Sequence, residues 1–243
     1  MSNDEIWERR RSSFGTAAVA YATGRPSYPL DALRWGMPPG ATTALDLAAG
    51  TGILTAGLLE LGLEVTSVEP LAEMRALIQS PAHAIDGTAE AIPLPAAAVD
   101  AVFVGQAWHW FDIPKATAEA HRVLRPAGNL VVSWNLIDIS DELSRTIADV
   151  IGAEERSDQL QDDDMADPPY DDPLRFTTPE RLVVNHQQRY DADRIVAYAL
   201  SRSQAILLAP DDRQQLVGEL RAALPPGEFP VSFVCETWRA TAR

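Results

Sequence analysis

The chain has 243 residues, of which 46% are hydrophobic, enough for a sizeable core and too apolar for a disordered chain. Its net charge of −15 repels phosphate backbones and anionic bilayers, so we expect neither nucleic acid nor membrane as a partner. Residues 1–11 lack the apolar stretch of a signal peptide, which favours a cytoplasmic protein. The single cysteine, Cys235, supplies no metal cluster, and we expect no metal.

The first forty residues are predicted to alternate helical and extended segments. Short helices are expected over 4–11, 14–21 and 30–35. Between the last two, Arg25-Pro26-Ser27-Tyr28-Pro29 is held extended by its prolines.

From residue 44 onward, predicted strands and helices alternate. The strands are expected over 44–47, 65–68, 82–85, 99–104 and 130–134. The helices are expected over 53–61 and 71–78, and from the cap Asp112 to about 124, and residues 125–128 read as a turn. This order predicts a parallel sheet covered by helices on both faces.

The last hundred residues follow a different pattern. Helices are expected over 139–151, 192–200 and 211–224, and strands over 182–190 and 231–238. Residues 154–172 are acidic and read as a solvated loop or mobile excursion. No composition shift marks a second domain. We therefore expect one domain, 1–243, with an N-terminal segment (1–40), a core (41–138) and a C-terminal region (139–243).

A glycine loop follows the first predicted strand, in Ala44-Leu45-Asp46-Leu47-Ala48-Ala49-Gly50-Thr51-Gly52. Its glycines permit a tight turn, and the next helix presents its amides to a ligand. No phosphate-binding lysine follows, and Thr55 stands where a dinucleotide fingerprint has its third glycine. Asp46 would repel a pyrophosphate but suits a ligand with an ammonium and a sulfonium. S-adenosylmethionine carries both groups, and its carboxylate can use the helix N-terminus.

Two further segments are candidates for the same ligand. Glu69 ends the second predicted strand and could accept both ribose hydroxyls, or could be a surface residue that caps the next helix. Residues 88–95 could wall an adenine, or could be an ordinary proline-bearing connection.

The segment after the fourth strand is predicted to face the ligand cleft. His109 could accept a proton from a substrate, or could only shape a wall. Trp108 and Trp110 could pack on a flat or cationic substrate, or could be core residues. Tyr28 and Arg25 could reach a ligand carboxylate, or could belong to a stiff surface strap.

A DNA-methyltransferase-like sequence, Asp167-Pro168-Pro169-Tyr170, lies beyond the fifth strand instead of after the fourth. Together with the charge, this position favours a polar turn.

Taken in order, these motifs resemble the class I S-adenosylmethionine-dependent methyltransferases, and within them the type 11 small-molecule subgroup. The similarity rests on residues 46–52, Glu69, 87–95, 105–112, 122–128 and Trp134-Asn135, and on 14–29, a strap that folds over the cofactor in that subgroup. Ala48 departs from it, since many members have glycine there. The resemblance implies a Rossmann-like α/β fold with a seven-stranded, mostly parallel sheet, an antiparallel last strand and helices on both faces.

The resemblance also implies a site and an activity. The implied cofactor-binding residues are Tyr28, Asp46, Ala48, Gly50, Gly52, Glu69, Pro70, Thr88, Ala89, Glu90, Gln106 and Ala107. Trp108, His109, Trp110 and Trp134 are expected on the acceptor side, with His109 as the candidate base. The implied reaction is in-line methyl transfer from S-adenosylmethionine to a small molecule. A non-catalytic S-adenosylmethionine-binding regulator and a nicotinamide-dependent oxidoreductase remain as alternatives.

Overall fold

The computed structural model describes residues 18–79, 81–152 and 168–243. The predicted helix over 4–11 and most of the acidic stretch over 154–172 lie outside these residues. No helix in the described part of the chain has both the length and the apolar character that crossing a bilayer requires.

Seven strands and nine α-helices are described. The strands are β1 Thr43–Leu47, β2 Glu64–Val68, β3 His83–Ile85, β4 Val99–Gly105, β5 Leu124–Ile137, β6 Glu180–Tyr190 and β7 Phe229–Thr241. The helices are α1 Ala18–Gly24, α2 Leu30–Gly36, α3 Ile53–Glu60, α4 Ala72–Arg75, α5 Ile113–Val123, α6 Glu142–Val150, α7 Ala192–Leu200, α8 Ser203–Ile206 and α9 Pro210–Ala223. A 3₁₀ turn, Trp108–Trp110, follows β4.

The sheet has the strand order β3-β2-β1-β4-β5-β7-β6. Strands β1 to β5 pair in parallel, so their carboxyl ends share one edge. Strand β7 runs antiparallel to β5, because the Ala242 amide donates to the Gly128 carbonyl (2.8 Å) and the Asp138 amide donates to the Ser232 carbonyl (2.9 Å). The predicted fold class is therefore confirmed.

The predicted turn at 125–128 is wrong, because these residues belong to β5. Val99 of β4 pairs with Leu124, whereas Ala101 pairs with Asn129, so β5 carries extra residues at this point. The chain accommodates them as an irregularity within the strand, with Ala127 in the left-handed region at φ 63°.

The described residues form two compact units. One unit contains 18–26, 136–152 and 185–234, and its core is built around the aromatic residues Tyr190, Tyr198, Phe229 and Phe233. The other contains 27–79, 81–135, 168–184 and 235–243, and its core includes Leu33, Leu58, Phe103 and Val131. Apart from Arg25, every residue predicted for the cofactor and acceptor sites belongs to the second unit.

Arg25 is an anchor within the first unit. Its Nε donates to the Ser201 hydroxyl at 2.9 Å, and its guanidinium lies 4.9 Å from the Tyr21 ring centroid and 5.5 Å from that of Tyr198. These contacts fasten the end of α1 to α7. The guanidinium is thus engaged with protein groups, which disfavours the predicted contact between Arg25 and a ligand carboxylate.

Candidate active site

The glycine loop connects β1 to α3 through residues in the left-handed conformation. Ala48, Gly50 and Gly52 have φ of 58°, 57° and 85°. Glycine adopts this conformation freely, whereas an alanine in it costs about 1–2 kcal/mol. The Ala48 departure therefore carries a conformational cost at the tightest point of the loop.

Glu69 holds this loop from the end of β2. Its Oε2 accepts the Gly50 amide at 2.9 Å and its Oε1 accepts the Leu71 amide at 2.9 Å. The side chain is 5% exposed, so the alternative of a surface residue is wrong. Burial raises the pKa of its carboxyl, and the two amides partly offset that effect. The carboxylate is thus built into the loop that the ligand would contact.

Asp46 lies at the end of β1 and is 1% exposed. Its Oδ2 accepts the Thr55 hydroxyl at 2.6 Å, and the Thr55 oxygen lies 2.8 Å from the Ser67 hydroxyl. When Asp46 is ionised, Thr55 gives its one proton to the carboxylate, and Ser67 then donates to Thr55. Burial raises the Asp46 pKa to about 7. Thr55, the residue in place of a third glycine, is thus a partner of Asp46, a role that the sequence did not reveal.

Thr51 is a further residue that the sequence analysis did not select. It lies between the two glycines and is 7% exposed. Its hydroxyl oxygen is buried without a hydrogen-bond partner among the described residues. A buried hydroxyl without a partner costs free energy, which a polar ligand group at the loop would recover.

The end of β4 brings Tyr28 and Gln106 together. A Cβ on Gly105 would stand 2.5 Å from the Tyr28 hydroxyl oxygen, so only glycine permits this approach. Gln106 is held at φ 59°, and its backbone amide donates to the Ser133 carbonyl at 2.9 Å. Its side-chain amide donates to the Asn135 carbonyl, and the Asn135 amide donates to Ser27. The start of the second unit is thereby fixed beside a left-handed residue, a conformation common at functional sites.

The segment 88–95 has an ordered conformation. Ala89 is buried, and the exposed Thr88 forms an antiparallel bridge with Ala91. Pro70, the predicted cofactor residue that follows β2, is also exposed. The Glu90 carboxylate accepts the Asp112 amide at 3.0 Å. Glu90 is thus engaged with the start of α5, while its predicted contact with the cofactor stays a prediction.

Trp108 is placed differently from the substrate wall that we predicted. It is 1% exposed, and its Nε1 donates to the Pro169 carbonyl at 2.9 Å. Its ring packs against Phe111 and Tyr170, with centroids 5.6 and 5.4 Å away. Trp108 is therefore a core residue, and Trp134 is also buried, at 7% exposure.

Trp110 and His109 lie nearer the surface. His109 is exposed and Trp110 half-buried, and their ring centroids are 4.8 Å apart at 44°. Of the four predicted acceptor residues, these are the two that are not buried.

Pro169 and Tyr170 also correct an expectation. Asp167 lies outside the described residues, but Tyr170 is 3% exposed and donates its hydroxyl to the Leu130 carbonyl at 2.9 Å. The sequence suggested a polar turn, whereas the aromatic ring docks against β5. Burial raises the pKa of this phenol, which agrees with a structural role.

The carboxyl ends of β1, β2 and β4 therefore bring the glycine loop, Glu69 and Gln106 to one edge of the sheet, where open α/β folds bind their ligands. Residues 45–132 match the model of a family described as a methyltransferase domain. An uncharacterized methyltransferase of Mycobacterium tuberculosis is 39% identical over 215 residues, covering 87% of this chain and 85% of that protein. The chain belongs to the class I S-adenosylmethionine-dependent methyltransferase family.

Two more comparisons extend this result. A ubiquinone/menaquinone biosynthesis C-methyltransferase of Rubrivivax gelatinosus is 34% identical over 137 residues, covering 50% of this methyltransferase and 53% of that protein. A solved structure from Anaeromyxobacter dehalogenans, a "Putative Type II Methyltransferase", has a TM-score of 0.61 at 23% identity, covering 90% of this chain and 97% of that one. At that identity, the second comparison concerns the fold alone.

Proposed function

We propose that this methyltransferase binds S-adenosylmethionine across the carboxyl ends of β1 and β2 and transfers its methyl group in line to a small-molecule acceptor. The observation that carries the proposal is the loop 48–52. Its left-handed backbone is held by Glu69, and it contains the buried Thr51 hydroxyl, which has no hydrogen-bond partner among the described residues.

The residues of this loop suit the polar groups of the donor. The Thr51 hydroxyl and the first amides of α3 are hydrogen-bond donors for the methionine carboxylate. Glu69 suits the ribose hydroxyls, which would compete with Gly50 and Leu71 for its oxygens. Two carboxyls, Asp46 and Glu69, end adjacent strands and favour a ligand that carries positive charge.

Bound S-adenosylmethionine supplies an electrophilic methyl group on a sulfonium. The chain's contribution is then chiefly to align the acceptor and exclude water, which accounts for large accelerations in bimolecular reactions. His109, exposed beside Trp110, is the proposed base for an acceptor that must lose a proton. A small-molecule acceptor is supported by the charge of −15, which disfavours nucleic acid, and by the quinone-pathway name of the Rubrivivax relative.

Calorimetry with S-adenosylhomocysteine and NADH tests the proposal. We expect the first to bind and the second not to bind, and the opposite result would contradict the proposed cofactor. Gly50→Ala should weaken binding because it strains the loop. Gly62→Ala is the matched control, since Gly62 has the same left-handed conformation (φ 82°) at the far end of α3 and should leave affinity unchanged.

Turnover separates an enzyme from a binding protein. The methyltransferase is incubated with methyl-labelled S-adenosylmethionine and a deproteinised metabolite extract, and labelled products are separated by chromatography. We expect a labelled small molecule whose yield is lower with Gly50→Ala. S-adenosylhomocysteine binding without any labelled product would favour the non-catalytic regulator instead.

A further inference from the structure

The connection after β3, residues 87–94, has a tightly packed backbone. A Cβ on Gly87 would stand 2.6 Å from the Pro93 ring, so the segment folds closely on itself. The Leu94 amide donates to the Ile92 carbonyl at 2.8 Å, and Ile92 is 3% exposed. Such a short segment uses few of its backbone groups internally, and the remainder need partners.

Helix α5 supplies those partners through one ion pair. Arg122 donates from Nη1 to the Leu94 carbonyl at 2.7 Å and from Nη2 to the Ile92 carbonyl at 2.8 Å. The same guanidinium forms a fork on Glu119, with Nε and Nη2 each 2.7 Å from a carboxylate oxygen. Glu119 in turn accepts the Ile92 amide at 2.9 Å. Two charged side chains therefore bind three backbone groups of residues 92–94.

The other end of α5 is also tied to this connection. Glu90 accepts the amide of Asp112, which caps α5. The segment is thus fastened at residue 90 to the start of the helix and at 92–94 to its last turn. Because a helix is stiff over its length, these attachments hold residues 90–94 in a fixed position on α5.

We infer that Glu119 and Arg122 are positioning residues for the adenine end of the donor. The inference rests on the proposed function and on the prediction that residues 88–95 wall the adenine. Glu119 and Arg122 act on the ligand through the connection 87–94 and do not contact it themselves. Lysine cannot replace Arg122, because only guanidinium can bind the carboxylate fork and two carbonyls at once.

The test compares S-adenosylhomocysteine with its inosine analogue, in which the adenine amino group is replaced by an oxo group. The ratio of the two affinities reports on the predicted adenine wall, because a general loss of protein stability would weaken the binding of both ligands equally. Arg122→Gln should bind S-adenosylhomocysteine about 10-fold more weakly. This factor corresponds to part of the free energy of one charge-assisted hydrogen bond, lost from the connection and expressed as weaker ligand binding. Its preference for adenine over hypoxanthine should fall by a similar factor.

Arg125→Gln is the matched control. Arg125 lies three residues further along the chain, in β5, and also bonds a carboxylate, that of Asp100 at 2.7 Å, at the opposite end of β4. It should keep the parental affinity and ratio, measured beside thermal unfolding of all variants. Arg122→Lys gives a second measurement if the glutamine variant does not fold, and should lose the preference in the same direction.

Three results would contradict the inference. Parental affinity in a folded Arg122 variant would overturn the inference, and so would weaker binding with an unchanged ratio. If the parent itself binds neither ligand, the proposed function fails, and the inference fails with it.

Discussion

The buried carboxyl of Asp46 should make the stability of this methyltransferase fall between pH 4 and pH 7. Its pKa is about 7 in the folded protein, against 3.8 in the unfolded reference. Within this window the folded state holds a proton that the unfolded state releases, so the favourable contribution present below pH 4 is lost as the pH rises through 7. Each pKa unit is worth about 1.4 kcal/mol and the carboxyl is half ionised at pH 7, so the loss between pH 5 and pH 7 is about 2 kcal/mol.

The substitution Asp46→Asn isolates this contribution. The asparagine oxygen can still accept the Thr55 hydroxyl, and the cost of burying its amide group does not change with pH. The free energy of unfolding is measured in urea at pH 5, 6, 7 and 8 for the parent and the variant. We expect the variant to gain about 2 kcal/mol relative to the parent between pH 5 and pH 7, and little more at pH 8.

The control is Asp31→Asn. Asp31 pairs with Arg34 at the surface, where its side chain is 84% exposed, so its removal should leave the parental pH profile. Parallel profiles for the parent and Asp46→Asn would refute the reasoning, since they would mean that Asp46 is already ionised at pH 5.

Three other substitutions test the site. Ala48→Gly should raise the free energy of unfolding by up to about 1 kcal/mol, because relief of the left-handed strain exceeds the entropy lost by glycine; a loss of stability in urea would contradict this. Glu69→Ala should weaken S-adenosylhomocysteine binding by about 1.5–3 kcal/mol in calorimetry and also lower the melting temperature, since two amides lose their acceptor; unchanged affinity would limit Glu69 to holding the loop. His109→Asn should keep donor affinity but lower kcat on the identified acceptor by about 10²-fold or more; an unchanged kcat would leave His109 structural.

The sheet and the glycine loop could be predicted from the sequence because both depend on local patterns. Alternating apolar segments predict strands and helices, and glycines beside Asp46 predict a tight turn. Residues 125–128 were misread for the same local reason. Proline and glycine favour a turn, but the pairs Val99–Leu124 and Ala101–Asn129 on either side hold the segment as an irregularity within β5.

The roles of individual side chains were harder to predict, because they depend on partners far along the chain. Trp108 looks the same in sequence whether it lines a cleft or fills a core, and its partner Tyr170 is contributed by a segment 62 positions away. Likewise, nothing near Arg122 in sequence indicates that it binds the carbonyl of Ile92, 30 residues earlier. Only the folded chain shows which polar group is engaged and which, like the Thr51 hydroxyl, has no hydrogen-bond partner in the described part of the chain.

The position of β7 between β5 and β6 has a consequence for synthesis of the protein. The Ser133 and Thr237 hydroxyls lie 3.0 Å apart across β5 and β7, yet are separated by 104 positions in sequence. At about 5–20 residues per second, the ribosome adds those residues in roughly 5–20 s. Throughout that interval β5, an apolar strand, has one edge without its native neighbour, and such edges pair readily with other chains. The nascent chain should therefore be most prone to aggregate, and most dependent on chaperones, in the seconds before β7 emerges.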